Sequence, residues 1–258
     1  MLFRSLWASR LPAPFLSVLI DDCIGRGRDY NAGGARYNTS YVQAVGIGTI
    51  TDSLSALDHH VFAGELALDE ICAALATDFA DAEPLRQRLW NRTPRWGNDD
   101  ERADRHMQRV FDLVLDTIDG LPNSRGGRYH VDMLPTTCHI YFGRMCGATP
   151  DGRHAGRPLS EGISPVQGAD RQGPTAVINS CARMDHERTG GTLLNLKFLP
   201  EVLADESGLD RLAQLVRTYF RLGGHHVQFN VVDAATLRAA RDRPEEHRDL
   251  IVRVAGYS

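Results

Sequence analysis

The sequence has no marked excess of either charge. Its 29 basic residues stand against 33 acidic ones, for a net charge of −4. A nucleic-acid ligand demands a basic stripe or patch, and none is present. Long apolar runs are missing too, so nothing reaches the ~20 residues that a membrane-crossing helix needs. The five cysteines (Cys23, Cys72, Cys138, Cys146 and Cys181) are odd in number and widely spaced, with no C-x-x-C pair. That argues against a zinc knuckle or a disulfide framework and for reduced thiols in a cytoplasm. The opening Met1–Arg10 is too short and too interrupted for a signal peptide. Nucleotide loops are absent as well. No strand feeds a G-x-x-x-x-G-K-[ST] pattern, and Gly46-Ile-Gly48 lacks the third glycine of a dinucleotide fingerprint.

What remains is a globular composition, 42% apolar and 24% charged over 258 residues, enough for one large domain or two small ones. Helical periodicity predicts a helix from Ser53 to about Phe62, capped by Thr51 or Asp52. A second runs from about Ala67 to Phe79, with Cys72 as a small buried hydrophobe. A third spans Glu101 to Ile118, its stripe being Met107, Val110, Phe111, Val114, Leu115 and Ile118. Further helices are expected from Pro174 to Ala182, Gly208 to Leu222 and Ala234 to Asp242, with a shorter one opened by Pro244. Extended segments are expected at Tyr129–Phe142, Gly190–Phe198, His225–Val232 and Leu250–Val254. On the third of these, Val227, Phe229 and Val231 face one way and His226, Gln228 and Asn230 the other. Strands separated by helix-length segments argue for an α/β fold with parallel strands.

Several chemical motifs dissolve on inspection. Trp96-Gly-Asn-Asp-Asp100 is a turn with helix-capping aspartates rather than a metal loop. Cys138 and His139, on an extended segment, would point to opposite faces, so they are satisfied core polar groups and not a dyad. His225 and His226 alternate faces and lack further ligands, which excludes a metal. The glycine- and proline-rich stretch from Gly147 to about Val177 is longer than an idle loop, hence functional or packed by partners.

The chain is organised around its last residues. The apolar run Leu250–Val254, broken only by Arg253, leads into Ala255-Gly256-Tyr257. By itself Gly256 is a turn glycine. Its company changes that. Arg253-Val-Ala-Gly-Tyr257, Val227-Gln-Phe-Asn-Val-Val-Asp233 and Pro244-Glu-Glu-His-Arg-Asp-Leu250 resemble the radical loop region of the glycyl radical enzymes, the pyruvate formate-lyase-like family. Gly33–Asn38, Gly46–Thr49, Thr51–Ser53, Gly147–Arg153 and Gly162–Pro165 resemble further landmarks of that family, in order along the chain. Leu134–Phe142 and Arg36–Tyr41 are most similar to its dehydratase branch, such as the trans-4-hydroxy-L-proline dehydratases.

The resemblance implies a ten-stranded barrel of two antiparallel half-barrels wrapped in helices. Residues 1–130 would be the C-terminal part of the pyruvate formate-lyase-like domain, and 131–258 a glycine radical domain truncated after the radical loop. It implies that Gly256 stores an unpaired electron, delocalised into its flanking amides because no Cβ prevents planarity. It places Thr136 at the substrate pocket. It implies no bound cofactor, only a glycyl radical installed by an S-adenosylmethionine/iron–sulfur activating enzyme. It also implies a small-molecule substrate, a homodimer in the full-length protein and a cytoplasmic location. The family's catalytic cysteine sits in a Gly-Cys-x-Glu tetrapeptide that this sequence does not contain. The chain is therefore expected to be a C-terminal fragment, inactive alone and not independently stable. Radical dehydration is the expected reaction. Formate acetyltransferase-type cleavage, glycerol or propanediol dehydration, and a non-catalytic radical-carrying subunit are the alternatives.

Overall fold

The computed structural model describes Leu6, Ala8, residues 10–250 and Val252. A short helix, α1 (Pro14–Leu19), precedes strand β1 (Thr39–Gln43). Then come helices α2 (Ile47–Ala56), α3 (Leu68–Ala76), α4 (Glu83–Arg92) and α5 (Glu101–Ile118). Strand β2 (Arg128–Asp132), helices α6 (Cys138–Met145) and α7 (Gly173–Cys181), and strand β3 (Leu194–Phe198) come next. Helix α8 (Glu206–Arg221), strand β4 (Val227–Val231), helix α9 (Ala234–Asp242) and a 3₁₀ turn at Pro244–His247 complete the described order.

The strands pair in parallel, β1 with β2 and β3 with β4, and a parallel bridge between Met133 and Thr192 links the two pairs. Every connection between paired strands contains helix, as parallel pairing requires. Helices cover one face of this wall. Val131, Met133, Leu194 and Leu196 point into that layer, where they meet Met107, Phe111 and Leu115 of α5, Val177 and Ile178 of α7, and Tyr219 of α8. Each large side chain buried there contributes about 1.5–3 kcal/mol. Helix α5 has the expected bounds: Asp100 caps it by accepting from the Arg102 N–H at 3.0 Å, and its apolar stripe lies against the strands. Asp205 and Asp233 cap α8 and α9 in the same way.

The structure departs from the sequence reading at four places. Strand β1 was not foreseen, because it follows a stretch whose glycines and arginines give no strand signal. Helix α2 begins at Ile47, not Ser53, because Gly46 at φ +77° provides the entry. Thr51 and Asp52 therefore sit inside the helix. Thr51 bonds back to the Ile47 carbonyl, and Asp52 turns inward to Arg95 at 3.0 Å. The helix continues to Phe62 as a π turn, Leu57–Phe62. Cys72 is exposed: on α3, Ile71 and Ala74 take the buried face, and a neighbour one position on is rotated away from it. The fourth correction concerns 133–142. The extended segment ends at β2, the chain turns at Pro135–Thr137, and Cys138 starts a helix. Pro135 lacks the N–H a ladder needs, and its carbonyl receives the Cys138 N–H at 2.9 Å, closing the turn. Cys138 and His139 are thus successive residues of a helix, not opposite faces of a strand. The expected strand Leu250–Val254 and Gly256 fall, except for Leu250 and Val252, outside the described residues.

The long glycine/proline stretch packs against β3. Ile163 N–H bonds the Leu193 carbonyl, and the Trp96 indole N–H bonds the Ile163 carbonyl at 2.8 Å. Gly162 makes this approach possible: its φ is +54°, and a Cβ there would stand 2.2 Å from the Leu193 oxygen.

Candidate active site

Strand alternation gives the wall a second, polar face. Register places Tyr41 beside His130, Gln43 beside Asp132, Asn195 beside Gln228, and Lys197 beside Asn230. Lys197 is the single lysine in the sequence. The expected alternation on β4 holds, but its polar side is the more buried. Gln228 and Asn230 are 7% and 6% exposed, while Val231 is 48% exposed.

At the end of β2, Asp132 is buried, and that burial raises its carboxyl above the usual range against the Leu134 N–H and the Gln43 side chain. A carboxyl so placed holds its proton nearer neutrality than a surface aspartate does. Four residues on, Thr136 occupies the turn into α6 with φ +52°, a strained conformation for a β-branched residue. It is half-buried, and its carbonyl faces the Nδ1 of His139 at 3.2 Å. His139 is 4% exposed, and burial holds its imidazole below the usual range, so it is neutral and donates from Nδ1 to that carbonyl. Sequence reasoning correctly read His139 as a satisfied core group. It missed Asp132, Asn195 and Gln228. The available signal was a polar residue alternating with apolar ones on a strand buried on both faces.

The other buried charges lie in the helix layer. Asp52 accepts from the Trp96 N–H at 2.8 Å and pairs with Arg95, whose guanidinium also reaches the Asp151 carbonyl and stacks over the Trp90 ring at 4.2 Å. Burial pushes the Asp52 carboxyl up to about 7 against the pull of Arg95. Asp104, between Ser180 and Arg183, is likewise pushed by burial to about 7. The first group ties α2 to the loop before α5, and the second ties α5 to α7. A cavity of about 370 Å³ between α7 and α8, lined by Ile178, Phe198, Leu212 and Leu215, also belongs to this outer layer. Among the described residues, no group of three or more His, Cys, Asp or Glu is placed to hold a metal ion, and no helix is long and apolar enough to cross a membrane.

A parallel wall with helices outside and buried amides inside is one side of a barrel. Comparison with known proteins bears this out. Residues 2–143 match the pyruvate formate lyase-like family and residues 159–258 the glycine radical family. The chain is 53% identical over 256 residues to the trans-4-hydroxy-L-proline dehydratase of Clostridioides difficile, covering 99% of the chain and 32% of that protein. It is 35% identical to the (2S)-3-sulfopropanediol dehydratase of Klebsiella oxytoca, over 96% of the chain and 31% of the relative. Its structure superposes on the C. difficile hydroxyproline dehydratase, solved with trans-4-hydroxy-L-proline bound, with a TM-score of 0.95 at 52% identity, covering 99% of the chain and 32% of that structure. The glycerol dehydratase of Clostridium butyricum superposes with a TM-score of 0.93 at 42% identity, covering 98% and 32%. The chain therefore spans about a third of the length of these relatives.

The fold is that of the C-terminal part of a glycyl radical enzyme barrel. The chain belongs to the pyruvate formate lyase-like family.

Proposed function

We propose that the polypeptide carrying this sequence is a glycyl radical dehydratase of a small hydroxylated substrate, trans-4-hydroxy-L-proline, and that Gly256 stores its radical. The observation that carries this reading is the 53% identity to a trans-4-hydroxy-L-proline dehydratase across nearly the whole chain. Gly256 falls inside the stretch that matches the glycine radical family. An activating enzyme using S-adenosylmethionine and an iron–sulfur cluster removes one hydrogen atom from its α-carbon. The remaining electron spreads over both flanking amides, which a Cβ would obstruct. The radical takes a hydrogen atom from a cysteine thiol outside this sequence. The thiyl radical takes one from the substrate carbon beside the hydroxyl. Water then leaves, its oxygen protonated by a general acid, the substrate-derived radical gives up a proton that restores that acid, and a hydrogen atom returns from the thiol to the product radical. Thr136 borders the substrate in this reading, on the strained turn that follows β2. The division between the two parts lies near residue 130, and the full-length protein is a cytoplasmic homodimer.

The test is anaerobic activation and then electron paramagnetic resonance. The radical should appear as a doublet split by the remaining α-hydrogen and collapse to a singlet when α-deuterated glycine is incorporated. Incubation with trans-4-hydroxy-L-proline should yield a product lighter by one water. Dehydration of glycerol in its place would favour a second reading, which the 42% identity to glycerol dehydratase supports.

A further inference from the structure

Thr136 adopts φ +52°. That left-handed conformation suits glycine or asparagine, and a β-branched residue adopts it only under strain. Such strain persists where the surroundings over-determine it, and it gathers at sites that use the strained residue. The described fold draws little from the Thr136 side chain itself. It is half-buried, and its hydroxyl makes no hydrogen bond among the described residues. Glycine would hold the same turn without strain.

The contacts that hold the turn end on His139. The Pro135 carbonyl takes the Cys138 N–H at 2.9 Å, and the Thr137 carbonyl takes the Ile140 N–H at 3.0 Å. The Thr136 carbonyl lies between these two and is left out of the backbone pattern. Its one hydrogen bond among the described residues comes from His139, whose Nδ1 stands 3.2 Å away. A carbonyl only accepts, so Nδ1 carries the hydrogen. His139 is itself fastened. Its own carbonyl takes the Leu159 N–H at 3.1 Å. The next residue, Ser160, is tied twice to α2: Thr49 Oγ1 accepts from the Ser160 N–H at 2.8 Å, and Ser160 Oγ accepts from the Thr49 N–H at 3.0 Å. Gly143, one turn further along α6, lets the helix lie on this loop, since a Cβ there would stand 2.4 Å from the Arg157 carbonyl oxygen. The buried imidazole is thus a strut between a fixed loop and a strained turn.

We propose that His139 is a positioning residue for the substrate: its Nδ1–H bond to the Thr136 carbonyl fixes the turn, and with it the Thr136 side chain, against trans-4-hydroxy-L-proline. His139 makes and breaks no bond in the reaction. Without the strut the turn relaxes out of the left-handed region and carries Thr136 with it. This inference rests on the reading of Thr136 as a residue that borders the substrate.

The test uses the full-length polypeptide, activated anaerobically by its activating enzyme, with turnover of trans-4-hydroxy-L-proline measured per glycyl radical spin. His139→Leu removes the donor. His139→Asn keeps an amide N–H near the Nδ1 position, and His139→Gln moves it to the Nε2 position. In His139→Leu, kcat/KM per spin should fall roughly tenfold or more, as for a slightly misplaced contact, with spins per protomer unchanged. His139→Asn should recover most of that loss, and His139→Gln should not, which decides the matter even where His139→Leu does not fold. Thr136→Gly removes the strain and the hydroxyl together. In that background the His139 substitutions should cost nothing further, because no strained turn is left to hold. Equal losses in both backgrounds would overturn the proposal and reduce His139 to packing. Parent-like kcat/KM in His139→Gln, or no recovery in His139→Asn, would overturn it as well. A Thr136→Gly enzyme as active as the parent would overturn the reading of Thr136 and this inference with it, whereas a parent without a glycyl radical would overturn the proposed function itself.

Discussion

The two faces of the same four strands obey opposite rules. On the helix side, Val131, Met133, Leu194 and Leu196 are buried among apolar neighbours and form the core of the described chain. On the other side, Asp132, Gln228 and Asn230 are just as well buried, yet carry polar groups, and Asn195 and Gln228 leave some unpaired. A stable wall requires only the first face. A fold that keeps unsatisfied amides and a protonatable carboxyl out of water gives up stability for a prepared surface. Stability and chemistry are thus divided between alternate residues of one strand.

The sharpest test of that division is Gly256→Ala. It should abolish the radical signal and turnover together while leaving the melting temperature within a few degrees, because it removes the radical store and glycine has no side chain whose contacts could be lost. Turnover by this variant would break the division at its functional end. The next largest effect belongs to the apolar face. Met133→Ala should cost about 2–5 kcal/mol in thermal or denaturant unfolding of the full polypeptide, through lost burial plus the cavity it leaves. Its turnover per spin should stay within a few-fold of the parent's. A large loss per spin would show that the two faces are coupled.

A pH series examines the helix layer. The Asp104 carboxyl has a folded value near 7 against an ordinary 3.8, so the folded state binds the extra proton between those limits. Stability from this group is greatest below about pH 4 and is lost as pH rises towards 7. Asp104→Asn should flatten that fall, worth on the order of 4 kcal/mol. An unchanged slope would mean that Arg183 keeps the carboxylate charged throughout. The smallest effect expected is that of Gln228→Met on stability: within about 1 kcal/mol of the parent, on either side, since an unpaired amide is exchanged for an apolar group of similar size. A loss above that would mean the amide is paired within the folded chain.

How far the sequence could be read depended on how local the deciding interactions were. Helix α5 was legible because Asp100 and a stripe at helical spacing are sufficient to define it. The parallel α/β character was legible from strand and helix lengths, and the family from ordered motifs around Gly33, Gly147 and Gly256. Strand β1 was not legible, because its partner β2 lies almost 90 residues away and its own residues alternate poorly. The start of α2 was misjudged because Thr51 and Asp52 look like caps, whereas the buried guanidinium of Arg95 draws Asp52 inward. The helix at Cys138 was misread because apolar β-branched and aromatic residues suit either state there. Pro135 marks the end of the strand without specifying a helix after it.

By itself, then, the sequence determined the Asp100 cap and apolar stripe of α5, the α/β class and the family, all of which rest on neighbouring residues or on ordered motifs. Only the tertiary structure decided that Gln228 and Asn230 are the buried side of β4, that Asp132 is buried and Thr136 strained, and that Asn195 and Gln228 stand together unpaired. Those facts depend on which face of a strand is closed over. Alternation in a strand reveals that two faces differ, but not which of them the rest of the molecule covers.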